Sequence, residues 1–85
     1  MSDLAKLKNI GVALASRLNA VGINSAEELR ELGSKEAFIR LRVNEPDSCI
    51  NALMALEGAI QDVRWHHLDD EVKRDLKAFY NARAL

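Results

Sequence analysis

The amino-acid sequence predicts an all-α fold, a compact bundle of five or six short helices, and three observations support this class. Apolar residues recur at three- and four-residue steps, which places them on single helical faces. No stretch shows the two-residue alternation of a half-buried strand. Glycines, the single proline and capping residues divide the chain into short segments. With 85 residues, the chain is expected to form one domain over residues 1–85.

Six helical segments follow from these patterns. Ser25 and Glu28 form a capping box at the start of the third segment, and Gly22 and Gly33 stand where helices end. Pro46 disfavours helix at the residue before it and closes the fourth segment. The predicted helices cover residues 2–7, 12–21, 26–32, 35–43, 49–63 and 70–83.

The fifth helix carries the broadest apolar face and is expected to be the centre of the core. Ile50 and Met54 lie outside this face, beside Glu57. They are therefore predicted to form a second surface of the helix, which contacts a partner. The apolar face spans an arc of roughly 120° and contains Cys49, Ala52, Leu53, Leu56, Ala59, Ile60 and Val63. Cys49 is therefore predicted to be a buried structural thiol.

Charge and cysteine content narrow the classes of function. With 12 basic and 13 acidic residues, the net charge is −1, which argues against a surface built wholly for nucleic acid or anionic lipid. Cys49 is the only cysteine, so no intramolecular disulfide forms, as in reduced cytosolic proteins. No apolar run approaches the roughly 18 residues of a membrane span. We therefore expect a cytoplasmic protein with no membrane contact.

Residues 4–23 have the pattern of a helix-hairpin-helix, a motif best known for binding a DNA phosphate. In such motifs a Gly-hydrophobic-Gly turn lets backbone N–H groups approach the phosphate at the second helix's N-terminus. The turn here is Asn9-Ile10-Gly11, with Asn9 in place of the first glycine. Asparagine tolerates the left-handed conformation, so the turn can form, but its side chain can also block the phosphate or cap the turn.

Charge gives the hairpin limited support as a nucleic-acid site. Between Leu4 and Ala26 there are three basic residues and no acidic one, and the rest of the chain has 9 basic and 13 acidic residues. Two or three phosphate contacts give a salt slope of only about −2 to −3. The sequence leaves two interpretations open, helix packing alone or weak DNA binding. The binding interpretation uses Lys6, Lys8, Asn9, Ile10, Gly11, Val12 and Arg17.

No set of residues forms a catalytic or metal-binding pattern, so we expect a non-enzyme without metal or cofactor. His66 and His67 are adjacent, and with Cys49 they are too few and wrongly spaced for a metal. Glu57 is either exposed or paired with Arg64 or a basic residue of the hairpin. The single tryptophan, Trp65, lies in a connector, residues 64–68, and either pins the connector to the core or anchors a partner.

Four segments carry a resemblance to a known family: LKNIGVALASRLNAVGI, EELRELG, CINALMALEGAI and RWHHL. In this order and spacing they resemble the C-terminal domain of TfoX (Sxy) proteins, bacterial regulators associated with natural competence. The pairing of the ALEGA helix with the RW-containing connector makes the resemblance specific. TfoX proteins carry another domain before this one, whereas Met1 here stands almost at the first helix, so we expect a stand-alone copy.

The resemblance implies an all-α fold with a helix-hairpin-helix element and a non-enzymatic, regulatory role in a bacterial cytoplasm. It supplies no molecular activity for the domain. Our leading hypothesis is therefore a regulatory module that acts by protein–protein contact, including self-association into a homo-oligomer. We expect Ile50, Met54 and Trp65 to supply the contact. The alternative is weak, non-sequence-specific DNA binding through the hairpin backbone with Lys6, Lys8 and Arg17.

Overall fold

The computed structural model describes residues 3–46 and 48–83, and it confirms the all-α fold class. Five α-helices and two 3-10 turns make up the regular structure of these residues. We label the helices α1 (Val12–Ala20), α2 (Ala26–Leu32), α3 (Ser34–Asn44), α4 (Ile50–Gln61) and α5 (Asp70–Arg83). The 3-10 turns are Leu4–Lys6 at the N-terminus and Trp65–His67 in the connector.

The start of α2 is capped twice. Ser25 Oγ accepts the Glu28 N–H at 3.1 Å, as the capping box predicts. Asp3 Oδ1 also accepts the Ala26 N–H at 2.9 Å, which ties the N-terminal segment to α2. Two of the free N–H groups of this short helix are therefore satisfied, and its bounds match the prediction.

Helix α4 is the centre of the core, as expected from its apolar face. It packs against α2, α3, α5 and the 3-10 turn of the connector. Leu53, Leu56 and Ala59 are completely buried on it. Met54 is also buried, at 4% exposure, because neighbours surround α4 on more than one side.

Helix α5 packs on α4 and is tied to α3 through side chains. The Arg42 guanidinium lies 5.5 Å from the Phe38 ring centre and 5.4 Å from that of Tyr80. Phe38 and Tyr80 are themselves 5.9 Å apart, in a tilted arrangement. This cation–π cluster joins the C-terminal half of α5 to the fully buried Phe38 of the core.

The beginning of the chain differs from the prediction. A single 3-10 turn of three residues, Leu4–Lys6, stands where the first helix was expected, so a helix-hairpin-helix with two α-helices is not shown. Ser2 or Asp3 was expected to cap that helix; Ser2 lies outside the described residues, and the Asp3 side chain makes no capping bond to the turn. Leu4 and Ile10 still pack into the core on either side of the turn. The segment that leads into α1 is therefore a short loop, with Leu4 and Ile10 buried in the core, rather than a helical hairpin.

Candidate interaction surface

Asn9 forms the turn before α1 in a left-handed conformation. Its φ is 71°, and it is one of two non-glycine residues with positive φ in the described part of the chain. Asparagine adopts this conformation more readily than most residues, as the sequence suggested. The turn thus forms without the glycine that helix-hairpin-helix motifs usually have.

The Asn9 side chain bonds the backbone that leads into the connector. Its Nδ2 donates to Val63 O at 2.8 Å, and its Oδ1 accepts the Trp65 N–H at 3.1 Å. Both ends of the amide are therefore used, on groups 54 and 56 residues away along the chain. The residue that departs from the motif is the one that fixes the position of the connector.

Gly58 makes room for this contact. A Cβ at position 58 would lie 2.5 Å from Asn9 Nδ2, 2.8 Å from Val63 O and 3.2 Å from Trp65 Cα. No side chain fits at these distances without moving backbone. We name the set Asn9, Gly58, Val63 and Trp65 the Asn9 joint. Our sequence reasoning missed Gly58, although a glycine in mid-helix, unfavourable by about 1 kcal/mol relative to alanine, is a signal of close approach.

Two of the three basic residues proposed for DNA binding are engaged in ion pairs. Lys8 Nζ lies 3.1 Å from Asp62 Oδ1 and also donates to Asp62 O at 3.2 Å. Arg17 Nε lies 2.9 Å from Glu45 Oε2, and its Nη2 donates to Ser48 Oγ at 2.7 Å. Both basic groups therefore face a carboxylate already.

Lys6 is exposed and makes no ion pair with any residue that the structure describes. At the start of α1, Ile10 is buried at 4% exposure, whereas Gly11 and Val12 are exposed. Gly11 is the N-cap residue of α1, and no side-chain hydrogen bond caps the helix there. The first turn of α1 has no acidic residue. The structure thus leaves this helix N-terminus open but surrounds it with little free positive charge.

Trp65 lies at the surface of the connector, with 40% of its area exposed. Its ring centre is 5.7 Å from that of His66 in an edge-on contact, and His66 is 4.4 Å from His67. Lys73 Nζ donates to His66 O at 2.9 Å, which fixes the connector from the α5 side. We name the exposed rings of Trp65, His66 and His67 the Trp65 surface.

The other predicted interface residues, Ile50 and Met54, pack into or against the core. Met54 is buried in the core, so the prediction that it is available to a partner is wrong. Ile50 is only half-buried, but it packs against the same core. The prediction failed because α4 has neighbours beyond the 120° arc drawn from its sequence.

Two further side chains differ from expectation. Cys49 is exposed because α4 begins at Ile50, which leaves the thiol at the N-cap rather than on the apolar face. Glu57 makes no ion pair with the described residues and accepts hydrogen bonds from Ser34 and Gln61 instead. Within 3–46 and 48–83, no group of three potential ligands is placed to hold a metal ion. None of the helices in these ranges is long and apolar enough to cross a membrane.

Comparison with known proteins identifies relatives of the same size and fold. Two crystal structures of an uncharacterised protein of unknown function from Listeria monocytogenes are each 46% identical to the chain, with TM-scores of 0.92 and 0.91. Each alignment covers 93% of this chain, and 90% and 98% of the respective Listeria chains. No curated protein matches. The model of the TfoX C-terminal domain family matches residues 1–80, and the chain therefore belongs to this family.

Proposed function

We propose that this domain is a non-enzymatic, regulatory interaction module that binds protein through the Trp65 surface. The observation that carries the proposal is a solvent-exposed indole on a connector whose backbone is held from two sides. Tryptophan is enriched among the residues that dominate binding energy at interfaces. A contact residue that is already fixed loses less conformational freedom when it binds, which favours association.

A second copy of the chain is the partner that we propose first. A symmetric dimer places the same patch of each copy in contact, and the exposed Trp65 and His66 rings, which meet edge-on, suit such an arrangement. The net charge of −1 gives little repulsion between copies. The Trp65 surface is small, so we expect weak association, with a dissociation constant on the order of 100 μM.

Trp65→Ala is expected to abolish this self-association. Sedimentation equilibrium of the wild type at concentrations up to several hundred micromolar should show a dimer, and the variant should sediment as a monomer of about 9.5 kDa. Removing a buried interface indole weakens binding by about 2 kcal/mol or more, roughly 30-fold.

Val43→Ala is the matched control, because Val43 is 77% exposed on α3 and belongs to no part of the Trp65 surface. It should dimerise like the wild type. If the wild type stays monomeric throughout this concentration range, self-association is excluded. If the Trp65→Ala variant still dimerises, the Trp65 surface is not the dimer contact.

The open N-terminus of α1 supports a second candidate, weak DNA binding. Exposed N–H groups at a helix start favour an anion, but Lys8 and Arg17 must leave their carboxylate partners to help. Labelled duplex DNA titrated at low salt should then bind with a salt slope of about −1 to −3. The triple variant Lys6/Lys8/Arg17→Ala should lose this binding. Equal binding by both proteins, or none by either, would exclude this candidate.

A further inference from the structure

A cleft lies between the start of α3 and the first half of α5. Its volume is about 560 Å³, within the range of pockets that hold a small molecule or a long side chain. Leu32, Val72 and Leu76 provide apolar wall area, and Leu76 is nearly fully buried beneath it. The cleft can therefore accept an aliphatic segment of a ligand.

Glu57 lines the cleft from α4, and neutral groups hold its carboxylate. Ser34 Oγ donates to Glu57 Oε1 at 2.6 Å, and Gln61 Nε2 donates to Oε2 at 2.6 Å. Ser34 is itself buried, at 4% exposure, so its hydroxyl is fixed. Each carboxylate oxygen keeps a further lone pair. The half-buried charge is thus oriented without a cation among the described residues.

Among the other residues that line the cleft, acidic side chains outnumber basic ones. Glu71 and Asp75 line it from α5, and Lys35 is the single basic residue among its lining residues. Lys35 Nζ is occupied by Asp75 Oδ2 at 2.6 Å and lies 5.5 Å from the Phe79 ring centre. Glu57 and Glu71 therefore leave the cleft with two negative charges that Lys35 does not neutralise.

We propose that this cleft binds an organic cation with a short aliphatic stem, an alkylammonium or alkylguanidinium group. The apolar wall takes the stem, and Glu57 and Glu71 take the charged end by charge-assisted hydrogen bonds. A bare metal ion fits less well, because no three potential ligands in the described ranges converge. The group is supplied either by a free amine or guanidine, or by a lysine or arginine side chain of a peptide.

Titration followed by backbone amide NMR tests this directly. The probes are n-butylammonium and n-butylguanidinium for a free amine or guanidine, and N-acetyl-arginine N-methylamide for a peptide side chain. Saturable shifts are expected at Gly33, Ser34, Val72 and Leu76. n-Butanol, which has the same stem without charge, should give none. Binding of the butyl cations alone identifies a free amine or guanidine as the source, and binding of the arginine derivative identifies a side chain.

Glu57→Gln keeps an acceptor for Ser34 and removes the charge, so it should weaken binding of the cationic probes about tenfold. Glu71 is exposed, so Glu71→Gln should weaken binding of the cationic probes only about threefold and leave the fold intact. Glu27→Gln removes an exposed charge of α2 outside the cleft and should bind like the wild type. Trp65→Ala should also bind normally. Unsaturable shifts, equal shifts with n-butanol, or equal weakening by all three glutamate variants would each overturn the proposal.

Discussion

Gly58→Ala should lower the free energy of unfolding by about 2 kcal/mol. Overpacking a tight site costs about 1–3 kcal/mol, and displacing the Asn9 amide forfeits a hydrogen bond worth about 1 kcal/mol. Better helix propensity offsets only about 1 kcal/mol of this. Two of the three atoms that crowd the new methyl group belong to backbone, so no side-chain rotation relieves the clash. Urea unfolding measures the change in the midpoint at constant m.

Gly11→Ala is the matched control for this substitution. Nothing lies within 4 Å of a Cβ at Gly11, and its φ of −96° suits any residue. Because alanine is a poorer N-cap, we expect a loss of less than about 1 kcal/mol. Equal effects at positions 11 and 58 would show that close packing at the Asn9 joint does not govern stability.

Asn9→Gly should lower the free energy of unfolding by about 2 kcal/mol, because two hydrogen bonds to the connector are lost at about 1 kcal/mol each. Glycine keeps the left-handed turn without strain, so this variant isolates the side chain. Asn9→Ala should lose about 1 kcal/mol more, since alanine resists a φ of 71°. The expected order of stability is wild type, Asn9→Gly, Asn9→Ala.

Combining Asn9→Gly with Gly58→Ala tests whether the two residues act together. The nearest atom to the added methyl group is Asn9 Nδ2, so its removal should reduce the penalty of alanine at position 58. We expect a coupling of about 1 kcal/mol between residues in contact. Strict additivity, or an Asn9→Gly variant as stable as the wild type, would contradict a structural role for the side chain.

Local signals in the sequence predicted most helices closely. The capping box set the start of α2, and the last helix was predicted over residues 70–83, the bounds that the structure shows for α5. The first helix was predicted over residues 2–7, where Leu4 and Leu7 are its apolar residues. They lie three residues apart, and this spacing fits a 3-10 turn equally well. A short segment cannot distinguish the two by spacing alone.

The errors in the candidate site arise from contacts that helical spacing does not encode. Cys49 changes from buried to exposed because α4 begins one residue later than predicted. Met54 was predicted to be exposed to a partner but is buried, because α4 is surrounded by neighbours from distant parts of the chain. For Glu57 the sequence left open an exposed carboxylate or an ion pair, and spacing could not show that Ser34, which lies 23 residues earlier, brings a neutral donor to it.

Three of the four segments that carry the family resemblance meet at the Asn9 joint. The NIG turn supplies Asn9, the ALEGA helix supplies Gly58, and the RW pair begins the connector that Asn9 holds. Taken separately, the turn suggested a phosphate-binding motif, and the glycine of the ALEGA helix was not singled out. Their contact gives the asparagine a different role, which is to position the connector and with it the exposed Trp65.

Hydrogen exchange of the Trp65 backbone amide tests this role most directly. The Trp65 N–H donates to Asn9 Oδ1, whereas the Gly33 N–H donates to Leu29 O at 2.9 Å and reports on α2. In Asn9→Gly, exchange at Trp65 should become at least about tenfold faster relative to exchange at Gly33, because its acceptor is gone. An unchanged ratio of the two rates would show that Asn9 does not hold the connector.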